Sequence, residues 1–330
     1  FPEYIRNPSG YLRRMHDQYG PVFRGRALWH DSVFLLGAEA NQLVMQDREH
    51  NFSSRMGWDF TLGKLFPRGL MLRDFDDHRV HRRVMQSAFR KQALEVYFGI
   101  MASQINERLE RWDGRGEFRF YDAIKRLTLD LAASVFLGID LEDKAQEVNR
   151  AFIDMVAAAI TPIRRAIPGL PYHRGLSGRR YLKSFFKSLI AERRQNPTTD
   201  LLGQLCSAEG EAGERFDDDE IIDHIIFLMM AAHDTTTSAL TSIVYSLGRE
   251  PAWQSRLREE ANSKAGPLTF ESLGDLALHE QVFKESLRLY APVPQLPRRC
   301  LRAFEFGGYE IPENSAIVLT PGFVHHMEAH

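Results

Sequence analysis

Between Asp217 and Gly248 the sequence carries the pattern of one unusually long helix. The acidic run Asp217-Asp218-Asp219-Glu220 suits the positive end of a helix dipole, and apolar residues then recur at Ile222, Ile225, Met229, Ala232, Leu240, Ile243, Val244 and Leu247. Gly248 followed by Pro251 supplies the stop. These 32 residues span about 48 Å at the standard rise, enough to cross a whole domain. A chain with such a helix builds its other elements around it. Into the middle of the pattern the sequence places His233-Asp234-Thr235-Thr236-Thr237-Ser238, six polar residues of poor helix propensity. Tertiary packing must hold that segment helical. Threonine hydroxyls can bond back to the preceding turn and bend the helix there, which opens a notch.

The flanking sequence predicts a mainly α-helical chain with small sheets near its two ends. "PVFRGRALWHDSVFLLG" reads as a hairpin, and "RAFEFGGYEIPENSAIVLTPG" alternates short β-prone runs with turn residues. Between them, "DDHRVHRRVMQSAFRKQALEVYF", "YDAIKRLTLDLAASVFLG" and "PAWQSRLREEANSKAG" repeat apolar residues at helical spacing. Residues 161–180, punctuated by Pro and Gly and rich in Arg, are expected to form a mobile surface connection. No repeat or low-complexity linker divides the chain, so 1–330 is expected to be a single domain.

Composition narrows the function. Lys plus Arg number 42 against 44 Asp plus Glu, and neither end carries a charged tail, so a nucleic-acid partner is not expected. Two cysteines, Cys206 and Cys300, make no disulfide framework and have no metal-ligand spacing. That favours a reducing, cytoplasmic setting. The first twenty residues are too polar for a secretory signal, and no run has the apolar length that a bilayer requires.

At "AAHDTT" the sequence resembles the central-helix motif of the cytochrome P450 monooxygenases, with Ala232 standing where that family usually has Gly. Downstream, "KESLRLYAPVPQLPRR" resembles the family's Glu-x-x-Arg pair, here Glu285 and Arg288, followed by a proline-rich turn and a strand that opens with Arg298. Val282, Phe283, Leu287 and Leu289 surround the pair, which is therefore expected to be partly buried. "FEFGGYEIPENSAIVLTPGFVHH" continues the family's strand pattern to His325. Upstream, His78 and Arg82 in "DDHRVHRRVMQSAF" have the spacing of the family's helix beneath the haem edge.

The resemblance implies a P450-like fold, haem b as cofactor and a lipophilic substrate of sterol, isoprenoid, retinoid or fatty acid type. It implies a ferredoxin or flavoprotein reductase as electron donor, docked on a basic surface around Arg79, Arg83, Arg90 and Lys91. Thr235 would hydrogen-bond dioxygen and order a water, and Asp234 would relay protons. Ala232 would border the groove, while His78, Arg82, Arg298 and His325 would hold the haem propionates. His233 is expected to be a core residue. The family's Phe-x-x-Gly loop with its cysteine ligand does not occur here, and Cys206 and Cys300 lack its context. The chain is accordingly expected to lack the C-terminal part of the fold and to be inactive by itself. Two rival readings are a non-catalytic helical binding protein derived from the same fold and a metal site at His326 and His330 beside His325.

Overall fold

The computed structural model describes residues 2–27, 30–112, 116–139, 144–210, 213–264 and 266–327. The chain separates into two compact units: Phe1–Gly63 with Met71–Phe75 and Leu287–His330, and Lys64–Leu70 with Asp76–Ser286.

The first unit holds helices α1 (Pro2–Arg6), α2 (Pro8–Tyr19), α3 (Ala38–Gln46), α4 (Ser54–Leu62) and, near the chain's end, α14 (Pro321–Val324). Its strands are β1 (Val22–Ala27), β2 (His30–Leu35), β3 (Phe52–Ser53), β4 (Leu296–Cys300), β5 (Phe304–Phe306), β6 (Tyr309–Ile311) and β7 (Ala316–Leu319). Five form a mixed sheet in the order β1-β2-β7-β4-β3, and β5 pairs only with β6. The predicted hairpin is present, with Val22 opposite Leu35 and Phe23 opposite Phe34. Side chains alternate faces along a strand. Val33, Leu35, Ile317 and Leu319 therefore build one core with Phe52 and Cys300, while Phe34, Leu36 and Val318 build another with Tyr4, Leu12 and Phe323. Phe23 and Phe34 stack across the ladder, with centroids 4.8 Å apart.

The second unit is helical: α5 (Phe75–Gln86), whose first residue belongs to the first unit, α6 (Lys91–Trp112), α7 (Phe120–Leu137), α8 (Ala145–Ile160), α9 (Pro171–Gln195), α10 (Leu201–Ser207), α11 (Asp218–Arg249), α12 (Pro251–Asn262) and α13 (Ala277–Leu289), whose last residues belong to the first unit. The long helix lies where its pattern predicts. Asp217 caps it, accepting from the Glu220 backbone N–H while the Glu220 side chain accepts from Asp217 N–H. Helix α11 is buried at Ile221, Ile222, Ile225, Ile226 and Met229.

Two sequence expectations are corrected. Residues 161–180 are not one connection: α9 already starts at Pro171, which stands in its first turn. Gly175 and Gly178 serve close packing and do not break the helix. A Cβ at Gly175 would lie 2.3 Å from Ala158 Cβ, and one at Gly178 would lie 2.8 Å from the Ala151 carbonyl oxygen. The run after Asp76 is likewise two helices, because Ser87–Phe89 tightens into a 3-10 turn and Arg90 is extended.

Candidate functional site

Asp234 and Thr235 are half-buried in the middle of α11. The Thr235 hydroxyl donates to the Ala231 carbonyl oxygen at 2.6 Å, and Thr237 and Thr241 make the same i to i−4 bond to His233 and Thr237. The back-bonding expected of these threonines is present, and the helix continues through them. Ala232 is half-buried beside them.

Asp234 is held from two sides. Lys125 Nζ on α7 lies 3.7 Å from its Oδ1, and His233 Nδ1 lies 3.3 Å from the same oxygen. His233 is only 3% exposed, and its Nε2 is 3.1 Å from the Lys125 carbonyl oxygen, which accepts from the ring. Burial holds the imidazole below its ordinary pKa, with the Asp234 charge opposing that shift. The expectation of a core histidine agrees with this burial. Neither its contact with Lys125 nor that lysine's approach to Asp234 had a signature in sequence, because the two segments lie more than a hundred residues apart.

On α5, His78 is half-buried and Arg82 exposed. Arg298 lies on β4, opposite Ile317 of β7. Helix α4 approaches this strand so closely that a Cβ on Gly57 would lie 2.7 Å from Arg298 Cα. Among the described residues Arg298 has no carboxylate in ion-pair contact, and its Nη1 donates to the Pro297 carbonyl oxygen at 2.9 Å. Burial lowers its pKa from the usual guanidinium value, an effect that Asp74 and Asp47 partly offset. Asp74 is already engaged, accepting from Ser54 and Arg55 N–H at 2.7 and 3.0 Å and from the Ser53 hydroxyl. A half-buried guanidinium without a carboxylate in ion-pair contact among the described residues suits an anionic ligand group, so this donor fits a haem propionate.

His325 is exposed, and its carbonyl oxygen accepts from Arg288 Nη1 at 2.7 Å. Glu285 and Arg288 are both exposed, contrary to the expected partial burial. The apolar residues around them do not shield them: Phe283 is 43% exposed, and Ser286 is the buried residue of α13.

Cys300 is a core residue and Cys206 is half-buried. Cys300 is fully buried in β4 and its thiol donates to the Pro312 carbonyl oxygen at 3.2 Å, while burial pushes the Cys206 pKa up to about 11. Both environments favour the thiol over the thiolate that a metal ligand requires. His326 Nε2 is 3.0 Å from the Leu289 carbonyl oxygen, and His330 lies outside the described residues. Among the described residues no group of three His, Cys, Asp or Glu side chains is arranged to hold a metal ion. No described helix is long and apolar enough to cross a membrane.

The chain is 38% identical to the cytochrome P450 136 of Mycobacterium tuberculosis over 98% of its own length and 67% of that protein's. It is 27% identical to abscisic acid 8'-hydroxylase 4 of Arabidopsis thaliana, covering 98% of this chain and 70% of that one. Among solved structures, cyanobacterial CYP120A1 with retinoic acid bound superposes with a TM-score of 0.89 at 26% identity, covering 98% of this chain and 75% of the other. This chain thus spans about two thirds to three quarters of the length of these relatives. The family model of cytochrome P450 matches residues 2–330, and the chain belongs to that family of haem-dependent monooxygenases.

Proposed function

We propose that the protein expressed from its complete reading frame inserts one oxygen atom of O2 into a lipophilic substrate, with electrons from a ferredoxin or flavoprotein reductase. The observation that carries this reading is the side-by-side carboxylate and hydroxyl of Asp234 and Thr235 at the middle of α11, held by contacts of their own. When bound, haem with a thiolate ligand activates dioxygen. His78, Arg82, Arg298 and His325 are the residues proposed for its propionates, and Ala232 the one proposed for the edge of its groove. Arg298 is the best supported of these, because it is a half-buried cation with no carboxylate partner among the described residues.

Proton handling falls to the polar block. Thr235 can turn its hydroxyl from the Ala231 carbonyl, whose oxygen keeps its helical N–H partner, toward a bound ligand or water. Asp234 is 31% exposed, so its carboxylate can exchange protons with solvent while Lys125 and His233 restrict its position. The lipophilic substrate class draws support from the relatives, one named as an abscisic acid 8'-hydroxylase and one with retinoic acid bound. Arg79, Arg83, Arg90 and Lys91 are exposed within one unit, as a docking surface for an acidic donor requires. The free cysteines Cys206 and Cys300 favour a cytoplasmic setting. Residues 1–330 would belong to one cytochrome P450 domain.

The test is incubation of that protein with a redox donor, candidate substrates and isotopically labelled dioxygen. Label in the product supports oxygen insertion. A protein that binds the same ligands tightly but transfers no label would instead support the non-catalytic binding role.

A further inference from the structure

A second polar constellation lies in the helical unit, where α5 meets α11. His81 of α5 is 8% exposed and His224 of α11 is fully buried. His81 Nδ1 is 2.9 Å from His224 Nε2, a direct contact between residues 143 positions apart in sequence. The Phe216 ring lies against both, 5.0 Å from the His81 ring centroid and 4.9 Å from that of His224. The other ring nitrogen of His81, Nε2, faces Asp77 Oδ1 on its own helix and Glu220 Oε1 on α11, each at 3.5 Å.

An N···N contact of this length needs one proton between the rings. With none, two lone pairs oppose each other; with two, N–H opposes N–H. The carboxylates of Asp77 and Glu220 favour a proton on His81 Nε2, so His81 as imidazolium donating to neutral His224 satisfies every contact named. Two neutral rings with one donating also satisfy the central bond. A second positive charge does not, since the rings would then repel across 2.9 Å in a buried site.

We infer that His81 and His224 are positioning residues: a clamp holding a single shared proton that fixes α5 against α11 and is opened by a second proton. The clamp follows from the contact geometry alone. Its functional consequence rests on the reading above, because His78 and Arg82, the residues assigned to the cofactor, flank His81 on α5. Two free imidazoles in the unfolded chain take two protons below about pH 6.5, where the closed pair takes at most one. The unfolded state then binds more protons, so stability is present above that range and is lost as pH falls. For a one-proton difference the folded-to-unfolded ratio drops up to about tenfold per pH unit.

The experiment compares the haem-loaded protein from the complete reading frame with its His224→Gln variant, whose amide can bond His81 but takes up no proton. Denaturation is followed by circular dichroism, and haem retention by absorbance, from about pH 7.5 to 5. The folded-to-unfolded ratio of the wild type is expected to fall by up to about an extra factor of ten per pH unit relative to His224→Gln. Equal slopes would overturn it. Should the variant not fold, nitrogen-resolved NMR of the wild-type imidazoles decides: two separate protonation steps support the clamp, and independent uptake by both rings refutes it. A flattened stability slope with unchanged pH dependence of haem retention would uphold the clamp and remove α5 from the cofactor seat.

Discussion

The hydroxyls of Thr128 on α7 and Thr237 on α11 meet at 2.8 Å, and both residues are buried. Thr237 spends its proton on the His233 carbonyl oxygen at 2.8 Å, so Thr128 is the donor across the helix pair. The Lys125 carbonyl oxygen stands 3.2 Å from Thr128 Oγ1 as an alternative acceptor. This contact lies beside the Lys125 and His233 grip on Asp234, and it fixes how α7 meets the polar block. Replacing Thr237 by Val keeps the shape and removes the hydroxyl. The account expects a loss of about 1–2 kcal/mol, limited because Thr128 can turn to Lys125. Chemical denaturation measures it, and a neutral substitution would show that the interhelical bond contributes nothing.

Gly175 tests the packing of α8 on α9. An added methyl would meet Ala158 Cβ at 2.3 Å and the Asp154 carbonyl oxygen at 2.8 Å, neither of which is the far end of a flexible side chain. Gly175→Ala is expected to destabilise by about 1–3 kcal/mol despite the helix propensity that alanine adds. A thermal melt at or above the wild-type midpoint would contradict this packing.

The buried ion pair of Arg179 and Asp223 has a contact of 2.5 Å, with side chains 15% and 4% exposed. Burial raises the Asp223 pKa above its ordinary value, and Arg179 opposes that rise. Arg179→Met leaves a buried carboxylate without its cation and should cost about 3–5 kcal/mol at neutral pH. An acid whose folded-state pKa is raised binds its proton more readily in the folded chain. Stability therefore falls as pH rises through the window above the ordinary carboxylate value and returns as pH is lowered. The variant should accordingly recover part of its deficit between about pH 7.5 and 5, and urea melts across that range would reveal a deficit that stays constant if this is wrong.

Local signals carried much of this structure. The acidic start of α11 at Asp217, its apolar spacing and the pairing of β1 with β2 were legible because each depends on neighbours in sequence. Gly175 and Gly178 were misread as breakers because a glycine that admits a neighbouring helix has the same letter as one that ends its own. The exposure of Glu285 and Arg288 was also missed: apolar neighbours on α13 signal a buried face only if another segment covers it. At the site, the adjacency of Asp234 and Thr235 is covalent and visible at once. The approach of Lys125 to Asp234 and that of His81 to His224 are products of tertiary packing across 109 and 143 positions.

The central claim is that the carboxylate and hydroxyl at the midpoint of α11 deliver protons to dioxygen chemistry. The most direct measurement is the ratio of oxygenated product to electrons consumed in the haem-loaded protein and its Thr235→Ala variant, from which the Ala231 bond is absent. The account predicts continued consumption of reductant, product per electron reduced about tenfold or more, and hydrogen peroxide in its place. A Thr235→Ala enzyme that couples electrons to product as well as the wild type would contradict it.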